Sequence, residues 1–544
     1  MGWLHISKKD KIDITYLGWL GENLTWSSKL LRIRTWHRIY NILIDAWSRQ
    51  WGVEGDNFNT TIPVDLKKIH AILITHAHMD HIGKIPLYVR HGYKGPIYMT
   101  PVTSPILFEA LKDEQKIFQR ILEEKKEVLT KIKKAFNAIK SHNARTHEWW
   151  VKIKKLDEQK KKAAATKHSS NQNLLNRHNI SSIQDIKKLE QTVHTMDEEK
   201  EQNEQDLWNI ISLIKTTPYN KPVTIIPKVA EATFYNAWHI EGSAQIDIEV
   251  AKNKLLFSGD LWRIRDNAII GKPSMPKKKW YSFVSLESTY AWKVHQEREE
   301  ANKDLYYEIS HTHWPILMPC FSLQRIPEVL LTLLEWQDEL TESQETSTRI
   351  SKKEDIKPRT IDTIYVDSPL GKKYKEIFMK ELGTKYAYLN TSNIKFISVA
   401  EREELLLKIR KGYRVLILSS SGMLQWWTVM HYLPEILKQA KAKIIFSWFP
   451  GKNTLASQIV DGNRKVVITG AVHDVNCNSV YIEWFSSHAD HNELVHYHDS
   501  ISKTKWAKVV LEHGWINRHI LAADIKNPAT KVIVPQEWDS ISIL

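Results

Sequence analysis

The sequence predicts an α/β protein of more than one domain. Three observations carry that prediction. Short apolar runs repeatedly end in histidine, aspartate or glutamate, as strands delivering polar side chains to one sheet end would. Residues 291 to 460 alternate helical patterns with apolar strands, the texture of a βαβ-like layer domain. A polar, lysine-rich, helix-periodic stretch from about Ser104 to Ile214 interrupts the first pattern. At 544 residues the chain can bury more than one core.

Taken in order, residues 11 to 45 read as short strands separated by turns, ending in Asn41-Ile42-Leu43-Ile44-Asp45. A strand-end aspartate can orient a ligand histidine through its second ring nitrogen, or it can simply close a turn. Ala71 to Thr75 reads as a buried strand, too short for a helix. It runs into His76-Ala77-His78-Met79-Asp80-His81, with three histidines and one aspartate in six residues. Imidazole nitrogen with carboxylate oxygen suits zinc, and less selectively manganese or iron. One zinc needs fewer ligands from one loop, so His76 and His78 could hold one ion and Asp80 and His81 a second. A short helix from Gly83 to Tyr93 and a strand from Gly95 to Met99 follow.

In the long polar stretch, Ile117, Ile121, Val128, Ile132, Phe136 and Ile139 recur at helical spacing. His168 to His178 reads as a loop, and Ser181 with Gln184 as a capping box opening a second helix. The expectation is an antiparallel helical hairpin whose basic face either touches RNA or is simply solvated. Globular texture returns at Pro222, and three apolar strands deliver His239, Asp260 and Glu287. Further strands are read at 315–319, 363–367 and 415–418, and an exposed loop from Thr341 to Pro358. His488 and His513 follow later apolar segments.

Composition narrows the class. Cys320 and Cys477 give no disulfide framework, so a reducing, cytoplasmic setting is expected. No apolar run reaches membrane-spanning length, and the N-terminus lacks a signal-peptide core. A net charge of +14 favours a polyanionic partner such as nucleic acid.

Together these motifs resemble the β-CASP group of RNA-processing nucleases, which have the metallo-β-lactamase fold and include ribonuclease J and the cleavage and polyadenylation endonuclease. The His-x-His-x-Asp-His signature marks the wider superfamily, and Glu287, His488 and His513 narrow it. The resemblance implies a metallo-β-lactamase αββα sandwich over residues 1–290, with the helical insertion at about 104–214. It implies an inserted β-CASP α/β domain over 291–462, and a return to the first domain over 463–544. His76, His78 and His239 would bind one zinc, Asp80, His81 and His513 the other, and Asp260 would bridge them. Manganese is the alternative ion. Asp45 would support the ligand histidines, and His488, held by Glu287, would be the general acid or a phosphate contact. Pro319-Cys320-Phe321-Ser322-Leu323-Gln324-Arg325 resembles a segment beside the RNA cleft, departing from the family glycine at Gln324. Arg325, Ser421 and Ser486 are the implied RNA contacts. The expected activity is zinc-dependent hydrolysis of single-stranded RNA, by a homodimer if the likeness extends that far. A DNA nuclease of the same group and a non-catalytic RNA-binding scaffold are the alternatives.

One feature does not fit the family. The chain has 22 Trp and 19 Gly, about half the usual ~7% glycine. Tryptophan stands where the family has turn glycines, at Trp19, Trp26, Trp47, Trp238, Trp262, Trp292, Trp314, Trp426, Trp427, Trp448, Trp484 and Trp515. Such turns need positive φ or close backbone approach, which glycine allows. The expectation is that UGA codons are read as glycine; the alternative is an aromatic-lined groove that stacks on bases.

Overall fold

This computed structural model describes residues 11–17, 27–48, 61–144, 175, 178, 180–261, 276, 281–346, 361–424, 428–448, 451, 454–468, 470–482, 488–501, 507–514, 517–526, 530–536 and 538–543. Two seven-stranded sheets form the first domain. In spatial order the first sheet runs Ser540–Ser542, Lys11–Tyr16, Lys29–Arg34, Ile39–Ile44, Ala71–Leu73, Ile97–Met99 and Ile214–Thr216. The second runs Thr530–Ile533, Ala507–Glu512, Phe283–Glu287, Asn253–Phe257, Ala244–Val250, Ala230–Asn236 and Pro222–Ile226.

Strand alternation explains how the sheets meet. Ile12, Ile14, Leu31, Ile33, Ile42, Ile44 and Leu73 bury one face against Phe234, Ile246, Ile248, Phe257, Phe283 and Val510. The second sheet's other face carries Leu256, Val284, Leu286, Val509 and Leu511, packed on Leu494, Tyr497 and Leu521. Those last three lie on the helices His491–Ile501 and Arg518–Asp524. Strands Ala71–Leu73 and Phe283–Glu287 are buried throughout, which is why the first reads as a continuous apolar run and the second is apolar but for Ser285 and the strand-end Glu287.

The segment between Phe283–Glu287 and Ala507–Glu512 forms a six-stranded, all-parallel sheet with its own core. Its order is Ile394–Phe396, Ile364–Asp367, Leu416–Ser419, Ile316–Pro319, Lys443–Phe446 and Asn478–Tyr481. The sequence reading closes this domain at residue 462. The pairing of Asn478–Tyr481 with Lys443–Phe446 carries it to Tyr481, past the hairpin of Lys465–Ile468 and Ala471–Asp474. The expected loop from Thr341 begins as helix, because Arg325–Thr346 is one continuous helix.

A second compact unit comprises residues 89–91 and 111–212. Within it, parts of the helices Thr103–Ala144 and Ile183–Leu213 pack Leu122, Leu129 and Ile132 against Ile186 and Val193. The ion pairs run in opposite register, Lys126 to Asp197 and Lys133 to Glu190, as an antiparallel hairpin requires. The second helix is capped differently from the expectation. Asp185, not Gln184, accepts from Ser182 N–H at 2.8 Å, and Ser182 Oγ accepts from Asp185 N–H at 3.3 Å. The expected His168–His178 loop falls almost wholly outside the described residues. No described helix is long and apolar enough to cross a membrane.

One buried ion pair ties the two large sheets together. Lys29 Nζ lies 2.7 Å from Glu512 Oε1, with side chains 1% and 3% exposed. Removing one partner strands a charge in the interior. Lys29→Met is expected to destabilise the chain by about 3–5 kcal/mol, and adding Glu512→Leu should recover much of that loss. Urea unfolding of both variants is the check.

Candidate metal centre

The sheets position the polar groups by where their strands stop. Asp45 follows the strand Ile39–Ile44 at φ 59, a left-handed conformation that aspartate tolerates better than most residues. The kink turns its carboxylate inward. Asp45 Oδ1 accepts from Thr75 N–H at 2.8 Å, and Oδ2 accepts from Thr75 Oγ1 at 2.9 Å and His81 Nδ1 at 2.8 Å. The Thr75 hydroxyl proton is thereby committed to Asp45. Its lone pairs can only accept, and His76 Nδ1 donates to it at 3.1 Å. Both imidazoles therefore hold a proton on Nδ1 and present Nε2 to the cavity, which is how an outer partner orients a metal ligand.

Three ring nitrogens converge. His78 Nδ1 lies 3.0 Å from His76 Nε2 and 3.0 Å from His239 Nε2. Asp260 Oδ2 lies 3.5 Å from His76 Nε2, 3.6 Å from His239 Nε2 and 3.4 Å from His81 Nε2. Beside it, Asp80 Oδ2 lies 3.5 Å from His513 Nε2 and 4.0 Å from His81 Nε2. Ligands ~2.0–2.1 Å from a tetrahedral ion sit roughly 3.3 Å apart, so these spacings match two adjoining ion sites. The donor set passes a second test. His81 Nε2, Asp260 Oδ1 and His513 Nε2 are buried without a hydrogen-bond partner among the described residues, a costly state unless a cation lies between them. All seven residues expected to ligate metal are thus brought together, in the two groupings expected, with Asp260 reaching both.

The other expected residues fall into place unevenly. Glu287 Oε1 accepts from His488 Nδ1 at 3.1 Å and from Leu261 N–H at 2.8 Å. Arg325, expected to contact RNA, is 4% exposed and pairs with Glu328 at 2.8 Å inside the inserted domain. Burial next to a strand end explains the difference, since the spacing alone does not say which way the guanidinium turns. Ser421 is half-buried, and Ser486 lies outside the described residues.

Two hydroxyls went unnoticed in the sequence. Thr75 is one. Thr289 is the other: it donates to His513 O at 3.0 Å, leaving a lone pair to accept from His513 Nδ1 at 3.0 Å, and it lies 3.2 Å from His488 Nδ1, whose proton goes to Glu287. Their signal was adjacency to ligand-type residues at strand ends. His513 itself has φ 47, and a Cβ on Gly514 would lie 2.3 Å from Ser288 O, so glycine must follow this histidine.

Electrostatics divides the ligands. Burial, reinforced by neighbouring histidines, holds His76 well below the ordinary range, and burial pushes His78 down to about 4. Burial would also depress His81, but Asp260, Asp45 and Asp80 outweigh it and hold its pKa well above the ordinary value. Burial opposes ionisation of Asp80 and Asp260, but the surrounding histidines outweigh it and keep both anionic. His488 is raised: burial works against its charge, and Glu287 prevails.

Comparison with known proteins agrees with this geometry. Residues 40–181 match the model of a β-lactamase superfamily domain, and residues 348–459 match the Beta-Casp domain. An RNase J-like protein of Methanocaldococcus jannaschii is 27% identical, covering 59% of this chain and 72% of its own. Ribonuclease TTHA0252 of Thermus thermophilus is 21% identical over 87% of both chains. A transcription termination factor, FttA, of M. jannaschii is 23% identical over 88% of this chain. The chain spans 64% of that factor's length, and 57% of the length of its counterpart from Pyrococcus horikoshii. The crystal structure of a protein of unknown function from Enterococcus faecalis V583 aligns with a TM-score of 0.50 at 10% identity, over 98% of this chain and all of that one.

A metal ion must displace the Nε2 proton that Asp260 helps hold on His81. Divalent-ion uptake is therefore expected to release protons, and affinity should rise with pH until His81 is neutral in the metal-free chain. Calorimetric titration in buffers of differing ionisation enthalpy checks this; uptake without proton release would contradict it.

Proposed function

We propose that this chain, which belongs to the β-CASP group of metallo-β-lactamase-fold proteins, is a zinc-dependent ribonuclease that hydrolyses phosphodiester bonds of single-stranded RNA. The observation that carries the reading is the pair of adjoining ligand clusters joined at Asp260. Divalent ions held by His76, His78 and His239, and by Asp80, His81 and His513, would supply hydroxide near neutral pH and neutralise charge on a scissile phosphate.

The chain's own groups supply the rest. Asp45 and Thr75 hold the imidazoles of one loop, and Thr289 holds His513. His488 stands at the rim, its side chain 20% exposed, against the buried Glu287. Its proton is available to a departing oxygen, and Glu287 stabilises the cation between turnovers. The presence of every ligand speaks against a non-catalytic scaffold. RNA is favoured over DNA by the ribonuclease names of two relatives and by His513 in its His-Gly context. The net charge of +14 supports a polyanionic substrate. The two buried thiols, Cys320 and Cys477, are consistent with a reducing, cytoplasmic setting. A homodimer rests on family likeness alone.

The test is zinc-loaded chain with matched labelled RNA and DNA single strands. RNA cleavage is expected, and His488→Ala should lower kcat by about 10²–10⁴-fold with zinc content unchanged. Zinc-loaded protein that cuts neither strand would return the scaffold reading, and preferential cutting of DNA would replace the substrate.

A further inference from the structure

The loop that carries His239 is gripped from two sides. Gly242 O accepts from Thr100 Oγ1 at 2.7 Å and Thr103 Oγ1 at 2.8 Å. Opposite, Glu241 is buried and faces the inserted domain. Its Oε1 accepts from Tyr386 OH at 2.8 Å and from Lys385 Nζ, and its N–H donates to Gln324 Oε1 at 3.4 Å. Gln324 Nε2 in turn donates to Tyr386 OH at 3.4 Å. Gln324 is itself buried at φ 58. A buried carboxylate is tolerated only where its partners are in place, so this contact admits one arrangement of loop and inserted domain.

We propose that Glu241, Gln324, Lys385 and Tyr386 are positioning residues that set His239 in the first ligand cluster from the inserted domain. Glu241 lies two residues from the ligand, and a shift of this loop would carry the His239 ring away from His76 and His78. The proposal rests on the metal-hydrolase reading.

Zinc content and affinity, read by chelator competition on the full chain, test it. Wild type is expected to hold two ions. Tyr386→Phe, which deletes one oxygen, and Glu241→Gln should each weaken one ion by about tenfold or more and leave the other unchanged. A purely structural role would lower the melting temperature and leave the affinity of the folded protein intact. Normal wild-type uptake with unchanged affinities in both variants would overturn the clamp alone. A wild type that takes up no divalent ion would overturn the metal reading and the clamp with it.

Independently, the backbone bears on the tryptophans. Trp238 has φ 61 and Trp538 has φ 65. The left-handed region penalises a Cβ, and a bulky residue there is out of place. Trp238 is buried immediately before the ligand His239. Trp538 is the third residue of a turn closed by Asp539 N–H to Gln536 O at 3.1 Å, and a third turn residue with positive φ is ordinarily glycine or asparagine. Trp336 is a contrast. It lies in a helix, is buried, and stacks on Tyr306 with centroids 4.8 Å apart and planes 7° apart.

We infer that the protein made in its own cells carries glycine at positions 238 and 538, from UGA codons read as glycine, and tryptophan at 336 from UGG. Of the other turn tryptophans, Trp47, Trp292, Trp314 and Trp448 have no positive φ, so the inference does not extend to them, and Trp19, Trp26, Trp262, Trp426, Trp427, Trp484 and Trp515 lie outside the described residues. The gene's codons and peptide masses of the cellular protein test the inference. UGA with glycine mass at 238 and 538, and UGG with tryptophan mass at 336, are expected. UGG, or tryptophan mass, at 238 or 538 would overturn it. In recombinant protein, Trp538→Gly should raise the melting temperature and Trp336→Gly lower it; a fall at 538 would count against the inference.

Discussion

Everything at the centre depends on one buried carboxylate. Asp45 is fully buried and bonds the Thr75 amide, the Thr75 hydroxyl and the His81 ring. Without it the Thr75 proton is uncommitted and the His76 and His81 tautomers are undefined. A cluster of imidazoles and carboxylates inside a protein is unfavourable until each proton is assigned and each ring is held. Asp45 does this for one ring of each cluster, His76 and His81. Thr289, with its proton given to the His513 carbonyl, does the same for His513 in the second cluster.

The layers make that arrangement rigid. The ligand loops leave strands buried on both faces, so their ends have little freedom. The Lys29–Glu512 pair crosses between the two sheets immediately next to His513. A charge pair this deep adds little net stability but is severe on any misregister, because sliding one strand would leave both charges unpaired. The inserted domain bears on the same centre through Glu241, so both domains meet at the loop of one ligand.

Much of this was legible in the sequence. The His76–His81 cluster sits in six residues, and a short apolar strand before it is a local signal. Strand-end His239, Asp260, Glu287 and His513 could be read as a series, and all join the site. The same rule applied to Asp367 would mislead. That aspartate also ends a strand, yet it is consumed by Arg402 at 2.7 Å and Tyr432 at 2.6 Å within the inserted domain. Arg325 shows the same limit, since its partner Glu328 is only three residues on and still could not be inferred.

The local pattern of residues was enough for the strands, the helical hairpin, the ligand types and their division into two groups, because periodicity and short-range spacing act along the chain. Which nitrogen of each histidine faces the cavity and which hydroxyls orient the rings were settled only on folding. Those properties arise between residues up to hundreds of positions apart, such as Thr289 and His513, where a hydrogen bond of 3.0 Å selects one tautomer. The extra strand Asn478–Tyr481 belongs with them, since a sheet edge is closed by whichever distant segment can satisfy its backbone.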